Sequence, residues 1–452
     1  MRSLTHWNKF LLRVLISVTL SLGPALVFGA TVLTGTAPYS IAVNSVTNKI
    51  YVANYSSQNV TVIDGATNAT TTVVAGSYPD ALAVNPVTNK IYVANYGSQT
   101  VTVIDGASNA TTTVPTPGSG FAVAVNTNTN KIYVATSCQC PGDSVTVIDG
   151  NSNSTTTVAV GTGAFSVAVN PVTNKIYVGD LYSHDVTVID GSTNATTAVS
   201  VGSSYPWALA VNSVTNKIYA AMVNSNTITI IDGASNTTTT VAAGSGPSSV
   251  GVNSVTNKIY VPSDFDNTVT IIDGATNTTS TLKTINCGLN AVAVDSVTNK
   301  IYVPGTCYQL LIVIDGSSGA MTASRTGSGS LAVALNPVTN KVYVANRDSN
   351  NVTVTNGARV TTSTSLTSSP NPSHSGQAVT FTAQVSSTGP VPTGKVKFLD
   401  GTTGIGTPKL IGGVAKLTKS TLAVGTHHIT AQYLGDVNSA KSTSTVLDQV
   451  VQ

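Results

Sequence analysis

An all-β fold assembled from repeated four-stranded units is what the sequence predicts, and three observations carry that expectation. Only 9% of the 452 residues are Asp, Glu, Lys or Arg, and none is Glu. Val, Thr, Ile, Tyr, Gly and Asn dominate instead, a strand-and-turn composition. The motif Asn-Lys-(Ile/Val)-Tyr recurs eight times, beginning at Asn48, Asn89, Asn130, Asn174, Asn216, Asn257, Asn299 and Asn340.

The first element, residues 1–29, reads as a secretory signal. Arg2, Lys9 and Arg13 form a basic segment, residues 14–28 are apolar, and the small Gly29 and Ala30 mark a cleavage point. The apolar run is about fifteen residues, short of the roughly twenty that a membrane span needs. An uncleaved anchor is the alternative; after cleavage no transmembrane anchor is expected. Without those three cations the chain holds 18 Lys+Arg against 18 Asp. Near neutrality excludes the basic footprint of a nucleic-acid binder and a polybasic membrane patch. The expected location is secreted or cell-surface, with the periplasm also open.

Residues 30–360 hold the repeats. Successive motifs are 41, 41, 44, 42, 41, 42 and 41 residues apart, a period of propellers or helical arrays. No 3.6-residue apolar pattern supports helices. Each unit splits into four short strands, such as "ALAVN", "KIYVAN", "TVTVIDG" and "ATTTV". Small Ala and Val in the first strand suit the crowded axis of a β-propeller. Apolar residues on both faces of the second strand suit blades buried on both sides. Eight inner strand sets predict an eight-bladed β-propeller, with seven blades as the alternative. The extra "ATVLTG" at residues 30–35 resembles a fourth strand, so the N-terminal strand is expected to complete the last blade and remove the open edge.

The stretches "YVANYSSQNVTVIDG" and "YVANYGSQTVTVIDG" resemble the YVTN-type β-propeller repeats of microbial surface-layer and other exported proteins. That resemblance spans about residues 31–357 and implies a secreted or surface-displayed interaction module. It transfers no catalytic residue. Residues 361–452 open with a Ser/Thr/Pro stretch and continue as alternating strands, the pattern of an Ig-like β-sandwich. "TFTAQV", "PTGKVKFLDG" and "GTHHITAQYLGD" resemble bacterial Ig-like repeats, which act as spacers or adhesive stalks.

Several residues compete for a functional role. The repeated Asp of "IDG", seven copies from Asp64 to Asp315, reads as turn chemistry, with Asp capping and Gly at positive φ. Catalysis needs convergent titratable groups, and the segments entering the inner strands offer mainly Asp80. No catalytic residue, metal ligand set or cofactor is assigned. Aromatic residues gather in the loops at one end of the blades, where they either bind a ligand or plug the channel mouth. The candidate ligand face comprises Tyr39, Tyr78, Asp80 and Trp207. Pairing Val294 with Ile301 across the hairpin sets Gly288 opposite Cys307, which brings Cys287 and Cys307 within bridging reach. A structural Cys287–Cys307 disulfide is expected; Cys138 and Cys140 either pair or stay reduced. The expected function is that of an exported, non-catalytic scaffold binding a protein or glycan ligand. The competing class is a lactonase-like or lyase-like enzyme with its site at the inner mouth.

Overall fold

The computed structural model describes residues 29–137, 142–286 and 288–452. The signal reading on residues 1–28, and Cys138, Cys140 and Cys287, lie outside the described residues. Every regular element described is a β-strand, and among the described residues no helix is long and apolar enough to cross a membrane. An N-terminal strand, β1 (Ala30–Leu33), precedes the repeats. The first repeat forms β2 (Pro38–Asn44), β3 (Lys49–Asn54), β4 (Asn59–Asp64) and β5 (Thr70–Val74), an antiparallel meander. Among the described residues eight such four-stranded sheets follow one another, here sheets 1 to 8. Sheets 1 to 7 are continuous in sequence. Sheet 8 takes three strands from residues 330–356 and its outer strand from β1, with Val32 opposite Val352.

Both faces of each sheet are buried because the two faces carry different side chains. In sheet 1, Tyr51, Ala53, Val60 and Val62 pack on Leu82, Ile91, Val93 and Ile104 of sheet 2. Alternation along β3 puts Ile50 and Val52 on the other face, against Tyr343, Ala345 and Val352 of sheet 8. A Tyr face therefore meets an Ile face at the junctions between sheets, with Val342 in place of Ile where sheet 7 meets sheet 8. The Tyr51 ring is wholly buried. Burial first, then Asp105 of sheet 2, pushes its hydroxyl up to about 12.

Polar bonds repeat with the same period at the end of the sheets that carries the Asn-Lys turns. Asn44 donates Nδ2–H to Asn89 Oδ1 of the next sheet at 2.8 Å, and Lys49 donates from Nζ to the Gly106 carbonyl at 2.6 Å. The pattern continues to the end of the repeat array, where Asn336 donates to Asn48 and Lys341 to the Gly65 carbonyl. Between sheets 6 and 7 only the Asn bond is kept, Asn253 to Asn299, and it too breaks between sheets 7 and 8. Asp295 stands where the other sheets have Asn and so has no amide to donate, while Lys300 turns to Asp315 of its own sheet. Asn340 instead donates Nδ2–H to the Val437 carbonyl of the C-terminal domain at 2.8 Å.

The C-terminal residues form a second pair of sheets. Strands Thr362–Ser369, Val379–Ser387 and Val414–Lys419 make one; Val396–Asp400 and Gly425–Tyr433 centre the other. Phe381, Val385, Phe398, Ala431 and Tyr433 fill the space between them. This domain docks on the Asn-Lys end of sheets 7 and 8. Val360 donates its N–H to the Asn438 carbonyl at 2.8 Å and accepts from Ala440 at 2.9 Å. The Ala358 N–H donates to the Tyr302 hydroxyl at 2.8 Å. Asn340→Ala is expected to loosen this docking by about 1 kcal/mol, read as faster proteolysis of residues 357–361 with the unfolding midpoint of the repeats nearly unchanged.

The repeated Asp is a turn residue, with one correction. Asp64 Oδ1 accepts from the backbone N–H groups of Ala66 and Thr67 at 2.9 and 2.8 Å. Those donors, Thr67 first, hold its carboxyl below the usual range. Positive φ, however, falls on Asn68 (63°) and not on Gly65. Gly65 is needed for space, since a Cβ there would lie 2.3 Å from Asn48 Oδ1.

Candidate functional site: an aromatic face

At the end of the sheets opposite the docked domain, the inner strands of sheets 1 to 5 and 8 are interrupted in the same way. In sheet 1 Pro38 pairs with Asn54 and Ser40 with Ala53, leaving Tyr39 as an extra residue in a β-bulge. The same shift isolates Asp80 in sheet 2, Phe121 in sheet 3, Phe165 in sheet 4, Trp207 in sheet 5 and Leu331 in sheet 8. A bulge re-aims one side chain out of the pleat. Five successive sheets thus present Tyr, Asp, Phe, Phe and Trp at equivalent positions.

Turn residues fill in between these positions. Tyr39 lies 5.6 Å from Tyr55 between ring centroids, and Tyr55 stacks on Tyr78 at 5.0 Å. A second run joins Tyr96 to Phe121 at 5.2 Å, Phe121 to Phe165 at 5.5 Å and Phe165 to Trp207 at 4.4 Å. Such spacings are those of favourable aromatic pairs. Gly97 makes room for the first run, because a Cβ there would fall 2.3 Å from Cδ2 of Tyr78. Beside the second run, Phe121, Phe165, Leu181, Tyr182 and Trp207 line a cavity of about 220 Å³.

The four sequence-predicted residues divide between the two runs. Tyr39, Tyr78 and Asp80 belong to the first; Trp207 belongs to the second. Tyr39, Tyr78 and Trp207 keep 42%, 43% and 40% of their surface exposed, so these rings support one another and still present faces to solvent. Burial pushes the Asp80 carboxyl up to about 7. Burial, and then Asp80 itself, raise the Tyr39 and Tyr55 hydroxyls, which locates the acid beside both phenols. Among the described residues no three His, Cys or Asp side chains gather as a metal site.

Sequence reasoning missed three features. The bulge was one, although an X-Pro-aromatic or X-Pro-Asp step before the Ala/Val strand signals it at Tyr39, Asp80 and Trp207. Tyr205 was another: it stacks on His184 at 5.3 Å and meets Tyr182 edge-on. The third is Asp180, which ends a strand and is wholly buried. In sheet 7 the expected pairing of Val294 with Ile301 is present. Farther out Leu289 pairs with Gly305, one residue short of uninterrupted pairing, so Gly288 faces Thr306 and not Cys307. Cys307 is disulfide-bonded.

Comparison with known proteins adds fold-level findings. Residues 366–452 match the bacterial Ig-like domain (group 3). Among solved structures the chain is similar to Kuenenia stuttgartiensis hydrazine synthase, at 19% identity over 72% of this chain and 96% of that one, with a TM-score of 0.52. It is also similar to Saccharomyces cerevisiae Sqt1, at 10% identity over 74% of this chain and 100% of that one, with a TM-score of 0.63. No curated protein sequence matches it. At these identities the likeness to solved structures shows the fold alone: the repeats have a propeller-like fold, and a bacterial Ig-like domain follows them.

Proposed function

We propose that this chain is an exported, non-catalytic scaffold that binds a protein or glycan ligand at the cell surface or outside the cell. The repeats, of YVTN type, form an eight-bladed ring over residues 30–360. It is closed by β1 and by the contact of sheet 8 with sheet 1. Residues 1–29 are the export signal, and the Ig-like module of residues 361–452 is a pedestal. The observation that carries the binding role is the row of half-exposed rings on the face that the Ig-like module leaves free. Flat rings with one weakly acidic carboxyl suit the apolar faces and hydroxyls of pyranose units. The Cys287–Cys307 pairing belongs to the same proposal, and the one-residue register shift between Val294 and Leu289 leaves it open.

Tyr78→Ala and Trp207→Ala should each weaken binding by tenfold or more, on the order of 1.4–3 kcal/mol for a central aromatic anchor. The readout is a glycan array, with extracellular protein baits alongside it. Unchanged binding by both variants removes the face from consideration. A second reading, a lactonase-like or lyase-like site at the inner mouth, draws on Asp80, whose carboxyl burial pushes up to about 7, into the range where a general acid or base works best. Turnover of a lactone or polysaccharide panel that Asp80→Asn abolishes would establish it; no turnover by the native chain ends it.

A further inference from the structure

Sheets 1, 2 and 8 close their second hairpin with the same side-chain clasp. The last residue of the second strand is Asn, and its Nδ2–H reaches across to the first residue of the third strand. Asn54 donates to Asn59 Oδ1 at 2.8 Å, Asn95 to Thr100 Oγ1 at 3.1 Å and Asn346 to Asn351 Oδ1 at 2.8 Å. Each Asn also donates to a buried Thr two residues further on, at 2.8, 3.0 and 2.9 Å. The amide is the donor in all six bonds.

Sheet 4 places two carboxyls at this clasp. Asp180 ends the second strand, Asp185 begins the third, and the two are direct partners across the hairpin. Asp180 is 0% exposed. The bond to the buried Thr has reversed direction: Thr187 Oγ1–H now donates to Asp180 Oδ2 at 2.6 Å. Asp180 Oδ1 has no partner, and Asp185 Oδ1 accepts from Ser183 at 2.8 Å. Two ionised carboxylates at hairpin distance repel, and a buried one lacks the hydration that would offset this.

Among the described residues no cation faces the pair from the elements around it. His184, in the connecting turn, directs Nδ1 toward the Ser204 carbonyl at 3.3 Å and stacks its ring on Tyr205. Across the preceding connection stands another acid, Asp143, which accepts from Ser137 and the Gly163 N–H. The remaining titratable neighbours are the Tyr182 and Tyr205 phenols of that same cluster. Only a proton can restore the clasp.

We propose that Asp180 and Asp185 share one proton, which does the work of the missing amide hydrogen, and that losing it releases the turn of residues 181–184. That turn supplies Leu181 and Tyr182 to the wall of the aromatic cavity. The pair is therefore a pH-sensitive latch on one side of the candidate ligand face. The latch itself is independent of any ligand; only its effect on binding rests on the function proposed above. Burial, and then the charge of Asp185, push Asp180 up to about 8, against the lowering by its Thr187 bond. A carboxyl whose folded value lies above its unfolded value stabilises the fold while protonated. That contribution is complete below about pH 4 and has gone once pH rises past about 8.

The test compares the full chain with Asp180→Asn, which restores the clasp of sheets 1, 2 and 8, and with Asp185→Asn as a second variant. Thermal unfolding of the native chain should fall by a few degrees between pH 6 and pH 9, and Asp180→Asn should remove most of that fall. Trp207 fluorescence, which reads the cavity wall without a ligand, should change over the same range in the native chain and much less in Asp180→Asn. Carboxyl carbon NMR should find two Asp titrating above pH 6, Asp80 and a second one that is lost in Asp180→Asn and moved to lower pH in Asp185→Asn, where the new amide supplies the donor. An unchanged pH slope in Asp180→Asn, or no Asp titration above pH 6 that Asp180→Asn removes, overturns the shared proton. A fluorescence response identical in both proteins overturns the link to the cavity. Failure to find any ligand would count against the binding role alone.

Discussion

Tyr177→Ala is expected to destabilise the repeats by about 3–5 kcal/mol, the range for emptying a large aromatic site in a core. Tyr177 is 0% exposed and projects from sheet 4 into sheet 5, against Ile218, Ala220, Met222 and Ile231. Backbone ladders hold each sheet rigid from both sides of that contact, so the cavity has little means of collapse. Tyr177→Phe should cost far less, because the ring supplies the packing and the Tyr177 hydroxyl has no hydrogen-bond partner. Tyr302→Phe should cost more than Tyr177→Phe by about 1 kcal/mol, since the Tyr302 hydroxyl accepts from Ala358. Urea unfolding of the four proteins separates these cases. Equal losses in the two Phe variants would show that the hydroxyl at the Ig-like junction contributes nothing.

Deleting residues 30–33 is expected to cost about 4–6 kcal/mol and to produce association. Burying Val32 contributes roughly 1.5–3 kcal/mol, and the backbone bonds of the β1 ladder add about 1 kcal/mol each. Val32 is 5% exposed and shares a cluster with Ile41, Ile50, Tyr343 and Val352, so β1 supports the contact between the last sheet and the first. Without it, residues 351–356 become an open edge with unpaired N–H and C=O groups. Light scattering should detect added association, and a synthetic peptide of residues 29–35 should reverse it and restore the lost stability. Full stability after deletion would mean that the contact between the last sheet and the first does not depend on this strand.

Much of the repeat architecture was legible because it obeys local rules. A two-residue alternation, Asn-Lys turns and Asp-Gly turns at a fixed period place strand ends without reference to distant residues. The separate C-terminal sandwich was readable for the same reason, from its alternation and from the Ser/Thr/Pro stretch before it. The candidate face was only partly legible. Exposed aromatics could be assigned to one end of the sheets, but their grouping into Tyr39–Tyr55–Tyr78 and Tyr96–Phe121–Phe165–Trp207 depends on bulges and neighbouring sheets. One bulge also moved Gly288 from Cys307 to Thr306, an error that a strict count across the hairpin cannot avoid.

Departures from the repeat show where local reading ends. Asp295 and Asp180 look in sequence like minor exchanges for Asn. At residue 295 the exchange removes a donor between sheets 7 and 8, at the junction where Asn340 bonds the Ig-like domain. At residue 180 it sets two carboxyls against each other in a buried hairpin. The amino-acid sequence alone determined the strands, their order and the side chains that face each way, because those follow from bonds between near neighbours. Tertiary structure decided what each exchange means, because the cost of a missing hydrogen or an added charge depends on what surrounds it and on how much water is left.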